Sequence, residues 1–136
     1  KFGPQICYEG LYPDFSRELS YKGAEFLVNV TNDSWFGKWT EPYQHLFMTL
    51  ARAIENRRPL IRSTNTGITT AIDAYGHISE FSPLHAEWTG QTEIKYLKNP
   101  PLTFFTLYGK WWPLVLGLLL VGIIFYGYNR KQTSTY

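Results

Sequence analysis

The sequence predicts an α/β domain followed by one C-terminal transmembrane helix. Three observations carry this. Strand-like runs alternate with helical ones as far as about residue 103, one helical segment has an apolar stripe, and residues 111–128 hold no charged side chain. The 136 residues are enough for one modest domain and its core. The expected organisation is a domain over residues 1–103, a connector over 104–110, a membrane helix over 111–128 and a short polar tail over 129–136. The chain opens Lys1-Phe2-Gly3-Pro4, with neither a methionine nor a signal-peptide pattern, and is expected to be the carboxy-terminal portion of a longer protein.

Gly3-Pro4 marks a turn, and Gln5-Ile6 a short extended approach to Cys7. Residues 14–22 suit a short helix stopped by Gly23, since glycine accepts the left-handed cap conformation. Residues 26–31 form a strand, β-branched and bounded by polar residues. Thr40 is placed to cap a helix that carries Glu41 and Pro42 in its first turn. Leu46, Phe47, Leu50, Ala51 and Ile54 give that helix its apolar stripe. It ends near Asn56-Arg57-Arg58, because Pro59 biases its predecessor out of the α region. Strands follow over residues 60–63 and 68–73, then a turn over 74–77 and another strand over 78–81. Residues 92–97 alternate imperfectly, as an edge strand does.

The run from Trp111 to Tyr128 is the clearest signal. About 18 positions at roughly 1.5 Å each span about 27 Å, close to the hydrocarbon thickness of a bilayer. Trp111 and Trp112 stand at one end and Tyr126 and Tyr128 at the other, where interfacial anchors belong; Asn129-Arg130-Lys131 stops the run. A buried helix of a soluble domain is the bland alternative, but a terminal charge-free run this long rarely fits a small core. Lys95, Lys98 and Lys110 precede the segment while Arg130 and Lys131 follow it, so charge does not set its orientation.

Composition excludes several functions. The net charge of +2 comes from scattered Lys and Arg, which gives a nucleic-acid partner no support. One cysteine rules out an internal disulfide and a multi-cysteine metal site. His45, His77 and His85 lack zinc spacing, so neither a metal nor a cofactor is expected. His45 reads as a structural hydrogen-bonding residue on its helix, and His77 and His85 as solvated. Glu55 and Arg58, at helical spacing, read as a surface ion pair. Asn32-Asp33 reads as a turn closed by side-chain-to-backbone hydrogen bonds, and Asn65-Thr66-Gly67 as a loop.

A lone cysteine is by default an inert small hydrophobe. Around Cys7, however, an extended approach precedes a tight Tyr8-Glu9-Gly10 turn. That setting holds a nucleophile outward with backbone N–H groups near enough to stabilise an oxyanion. The thiolate is the attacking form, so a cation or base must accompany it. Glu9 works against a thiolate, and no cation stands out in the sequence.

The string Gly3-Pro4-Gln5-Ile6-Cys7-Tyr8-Glu9 resembles the nucleophile motif of the nitrilase superfamily, in which Glu, Lys and Cys form a triad on an αββα sandwich. The run from Gly23-Ala24-Glu25 through Asn32-Asp33-Ser34-Trp35-Phe36-Gly37 resembles apolipoprotein N-acyltransferases within it. So do Pro42-Tyr43-Gln44-His45-Leu46, Arg52-Ala53-Ile54-Glu55 and Arg62-Ser63-Thr64-Asn65-Thr66-Gly67-Ile68. The terminal helix fits as well, since this family has a last membrane span after its nitrilase-like domain. The likeness weakens between His77 and Gly109, and Lys110 stands where the family carries an acid.

The resemblance implies an α/β fold that is part of a nitrilase-like αββα sandwich, with Cys7 as nucleophile. Cys7 would take a fatty acyl chain from a phospholipid donor as a thioester. The acyl chain would then pass to the N-terminal amine of a diacylglyceryl-cysteine apolipoprotein. The backbone N–H of Tyr8 is the implied oxyanion donor, Glu9 a supporting residue, and Trp35 and Phe36 the lipid-binding mouth. The triad Glu and Lys would precede Lys1, leaving these residues inactive alone. The implied location is the bacterial inner membrane, multi-pass in the full-length protein, with the catalytic domain on the periplasmic face. A membrane-tethered amidase and a non-catalytic anchored module are the competing readings.

Overall fold

The computed structural model describes residues 1–133, with side chains described to Arg130. Four strands form one sheet: β1 (Phe2–Ile6), β2 (Phe26–Thr31), β3 (Leu60–Thr64) and β4 (Thr70–Ile72), in that spatial order. β1, β2 and β3 are parallel and β4 is antiparallel to β3. Helix α1 (Pro13–Tyr21) connects β1 to β2, and α2 (Glu41–Asn56) connects β2 to β3. Parallel neighbours need such crossovers, which puts the helices against one face of the sheet.

Strand alternation decides which residues meet the helices. Gly3 and Gln5, then Leu27, Asn29 and Thr31, then Leu60 and Arg62 turn to the buried face. Register puts Gly3, Leu27 and Leu60 in one row and Gln5, Asn29 and Arg62 in the next. The first row is apolar and packs with Ala24, Leu46 and Ala53 in the core. The second is polar and lies nearer the carboxyl ends of the strands. Phe2, Ile6 and Val30 point from the other face and are exposed. The described residues thus form one sheet under one helical layer, with the opposite face of the sheet open.

The buried side of α2 differs from the apolar stripe. Leu46 is buried, but Phe47 and Ile54 are exposed, and His45, Thr49, Arg52 and Asn56 turn inward instead. The helix covers both rows of the sheet, Leu46 and Ala53 in the apolar core and Thr49 against Arg62 of the polar row, so hydrogen-bonding partners share with hydropathy in setting its rotation. Thr40 stands at the N-cap position but makes no side-chain cap bond. Arg57, with φ of 50°, ends the helix in the left-handed conformation.

That turn also undoes the expected Glu55–Arg58 pair. Glu55 bonds Arg52 at 2.9 Å, while Arg58 folds beneath the sheet and is buried. Arg58 Nε donates to the Ala24 carbonyl at 2.7 Å, and its other nitrogens donate to the carbonyls of Asn56, Arg57, Pro100 and Pro101. Arg58→Met should therefore lower stability by about 3 kcal/mol, because several buried carbonyls lose their donor together. A shift of the denaturant midpoint measures it.

Three strand boundaries are corrected. Gly3-Pro4 lies inside β1 rather than in a turn, and a Cβ on Gly3 would press on Leu27. Residues 78–81 contribute only the bridge Ile72↔Ile78. Main-chain bonds persist from Ser79 N to the Ala71 carbonyl and from Ser82 N to the Thr69 carbonyl, but Ser82 Oγ accepts from Thr69 N and Thr70 Oγ1 reaches the Ser79 and Glu80 carbonyls, so side chains interrupt a regular ladder. Residues 92–97 form no strand; Tyr96 packs its ring on Phe26 instead.

The connector is helical: α3 (Phe104–Tyr108) is capped by Thr103, whose hydroxyl accepts from Thr106 N and donates to the Glu55 carbonyl. After one 3-10 turn, α4 runs Trp112–Thr133, 22 residues, so the expected polar tail begins as helix. Residues 134–136 of that tail lie outside the described residues. Phe104–Arg130 is long and apolar enough to cross a membrane, and none of its most apolar stretch is buried in the protein.

Candidate active site

Parallel α/β sheets place their sites beyond the carboxyl ends of the strands. Cys7 follows β1, Asp33 lies two residues beyond β2, and Asn65 follows β3, so all three share that edge. Cys7 is half-buried with φ of 51°, a left-handed conformation that costs a side-chain-bearing residue of order 1–3 kcal/mol. It opens the 3-10 turn Cys7–Leu11, whose first N–H groups have no acceptor within the turn's own geometry. The Glu9 carboxylate accepts from Ile6 N at 2.7 Å and ties the turn shut. A Cβ on Gly10 would crowd Asn29 and Thr49, so the turn lies close on the sheet.

Beneath it is a buried polar assembly. Asn29 Nδ2 donates to the Cys7 carbonyl at 3.1 Å. Arg62 Nη1 donates to Asn29 Oδ1 at 2.7 Å and to Thr49 Oγ1 at 3.2 Å; its Nη2 donates to Asp33 Oδ2 at 2.8 Å. The other Asp33 oxygen accepts from His45 Nδ1 at 2.9 Å and from Thr31 Oγ1 at 3.2 Å. Asn65 Oδ1 takes the Asp33 N–H, and Gly67 approaches Asp33 so closely that a Cβ would overlap its carboxylate. Arg62 and Asp33 are both fully buried.

Burial pushes the Asp33 carboxyl upward, but the hydrogen bond from His45 and the charge of Arg62 outweigh it, leaving Asp33 below its ordinary range. Burial holds Arg62 below the usual guanidinium value, against the opposing charge and hydrogen bond of Asp33 and the charge of a Cys7 thiolate. Arg62 is a buried cation linked to the Cys7 carbonyl through the Asn29 amide. The sequence reading did not single it out.

The other expected residues divide. The Tyr8 ring packs 5.4 Å from the His45 ring and 6.1 Å from Phe36, and Phe36 meets His45 edge-on. Phe36 therefore joins the elbow. Trp35 is 82% exposed and reaches none of these rings. Asn32, not Asp33, makes the expected Asx turn, accepting from Ser34 N at 3.0 Å. His45 is a structural hydrogen-bonding residue as expected, and His77 is exposed beside Asp73. His85 departs from expectation: half-buried, it donates from Nε2 to the Gly37 carbonyl. No group of three metal-ligating side chains occurs among the described residues.

A parallel βαβ sheet with a cysteine on a left-handed elbow at its carboxyl edge is the architecture of a carbon–nitrogen hydrolase. Residues 1–95 match the profile described as Carbon-nitrogen hydrolase, and the chain belongs to that family. The carbon–nitrogen hydrolase of Helicobacter pylori G27 superposes with a TM-score of 0.56 at 22% identity, over 64% of this chain and 38% of that one. More particularly, the chain is 64% identical over 124 residues to the apolipoprotein N-acyltransferase of Bdellovibrio bacteriovorus. It is 41% identical over 134 residues to that of Geobacter metallireducens. These alignments cover 91% and 97% of this chain but 23% and 25% of the relatives' length.

Proposed function

We propose that the complete protein transfers a fatty acyl chain from a membrane phospholipid to the N-terminal amine of a diacylglyceryl-cysteine apolipoprotein, through a thioester on Cys7. The observation that carries this reading is the Cys7 elbow above a buried guanidinium, in a chain that also bears an exposed apolar helix. The relatives' names and their identity over nearly the whole chain support the same reading.

In the first half-reaction the Cys7 thiolate attacks the ester carbonyl carbon. A C–S bond forms, the C–O ester bond breaks, and the lysophospholipid leaves as an alcohol after taking a proton. In the second, the acceptor's neutral amine attacks the thioester carbon. A C–N bond forms, the C–S bond breaks, and the amine's proton departs as the thiolate is restored. The Tyr8 N–H is the oxyanion donor, Glu9 holds the turn that aims it, and Phe36 lines the acyl side with Trp35 at the mouth. The triad Glu and Lys are supplied by sequence outside these residues. Diacyl lipids stay in the bilayer, so the terminal helix keeps the site at their surface; the location is the bacterial inner membrane, with the domain on its periplasmic side.

A tethered amidase would share the nucleophile and resolve the thioester with water. The experiment is to incubate the full-length gene product with acyl-labelled phospholipid and then add hydroxylamine. Label on the protein that hydroxylamine strips is the expected result, since thioesters are labile to it and amides are not. Label that moves to water in the presence of the lipopeptide amine supports the amidase, and no label on the protein removes the covalent scheme.

A further inference from the structure

We propose that His45 is a positioning residue for the nucleophile, closing a buried circuit that begins and ends at the Cys7–Tyr8 elbow. The links are all in place. Asn29 holds the Cys7 carbonyl, Arg62 holds Asn29, Asp33 holds Arg62, and His45 holds Asp33. The His45 ring then returns to the Tyr8 ring at 5.4 Å. The chain is thus held on the carboxyl side of the sulfur-bearing Cα, by a hydrogen bond at the Cys7 carbonyl and by ring packing on Tyr8.

Two features favour positioning over bulk stability. His45 Nε2 and Arg62 Nε are buried with no hydrogen-bond partner, a cost that an apolar filling of the same space would avoid. Cys7 also sits in a backbone conformation that persists only where its surroundings over-determine it. Phe36 packs edge-on against His45, so the same ring registers the lipid-lining turn to the elbow.

The acyl-transfer part of the test rests on the proposed function; the alkylation part does not. In the full-length protein, iodoacetamide alkylation of Cys7 is followed by mass analysis of its peptide, beside acyl-enzyme formation from phospholipid. His45→Phe keeps the ring and loses the donor to Asp33. It should slow alkylation about tenfold and acylation about thirtyfold, the scale expected of a nucleophile misplaced by less than 1 Å. His45→Asn, whose amide nitrogen can take the place of Nδ1, should recover to within about threefold of wild type. Wild-type alkylation in His45→Phe, or no recovery in His45→Asn, overturns the proposal. Should His45→Phe not fold, Thr31→Val removes only a hydroxyl from Asp33. An about threefold slower alkylation there supports the circuit and an unchanged rate overturns it. A wild-type protein that alkylates but never acylates refutes acyl transfer and leaves the His45 comparison intact.

Discussion

Cys7→Ser in the full-length protein should lower acyl transfer by roughly a thousandfold or more while leaving the protein folded and in the membrane. Serine has nearly the same shape and meets the same backbone cost at φ of 51°. The Asn29 bond goes to the residue 7 carbonyl rather than to its side chain, so the elbow keeps its anchor. What changes is the nucleophile, because an alcohol oxygen attacks an ester far less readily than a thiolate sulfur does. The rate of label transfer from phospholipid to a lipopeptide, beside membrane recovery of the variant, measures both halves of the statement.

The second large effect is on stability. Asp33→Asn should destabilise the domain by about 3–5 kcal/mol, because it leaves a buried guanidinium without its counter-charge. The asparagine amide would also turn its NH2 toward one of two donors, Arg62 Nη2 or His45 Nδ1, that now share the carboxylate. The double variant Arg62→Met with Asp33→Leu should cost less than the two single changes added together, since no orphaned charge remains.

The same residue sets an acid dependence. Asp33 is held below its ordinary value of about 3.8, so its contribution to stability is complete above that pH and is lost as pH falls through the lower folded value. Asp73 is also held low and adds slope in the same direction. Denaturant midpoints at neutral pH and near pH 3 should therefore fall steeply for the wild type and less for Asp33→Asn.

What the sequence disclosed follows from the range of the interactions involved. β2, both ends of α2 and the apolar terminal segment rest on local signals: β-branched runs, Pro59, and an uninterrupted apolar stretch. The readings of β2 and α2 agree with the structure to within a residue or two, while the terminal helix runs on to Thr133, past its expected end at 128. The Cys7 elbow was legible for the same reason, since Cys7-Tyr8-Glu9-Gly10 closes its own turn.

The assembly beneath it was not legible. Asp33 and Arg62 are 29 positions apart and Asp33 and His45 are 12 apart. Only the register that sets Asn29 beside Arg62 brings them together. Hydropathy found only part of the buried side of α2: Leu46 and Leu50 meet the core, but Phe47 and Ile54 are exposed where His45, Thr49 and Arg52 go inward. A signal was present in the strand itself. Leu27, Asn29 and Thr31 share one face at a spacing of two, and a face that turns polar toward its carboxyl end marks a buried polar site. The edge strand at residues 92–97 failed for the opposite reason, because its alternation has no neighbouring main chain to pair with.

The most direct measurement is the mass of the proteolytic peptide containing Cys7, taken from the full-length protein quenched with acid during turnover on phospholipid and no acceptor. The expected result is a mass increase of one fatty acyl group less one hydrogen, localised to the cysteine sulfur. An unmodified Cys7 peptide, from enzyme that acylates lipoprotein once the acceptor is added, would contradict the account.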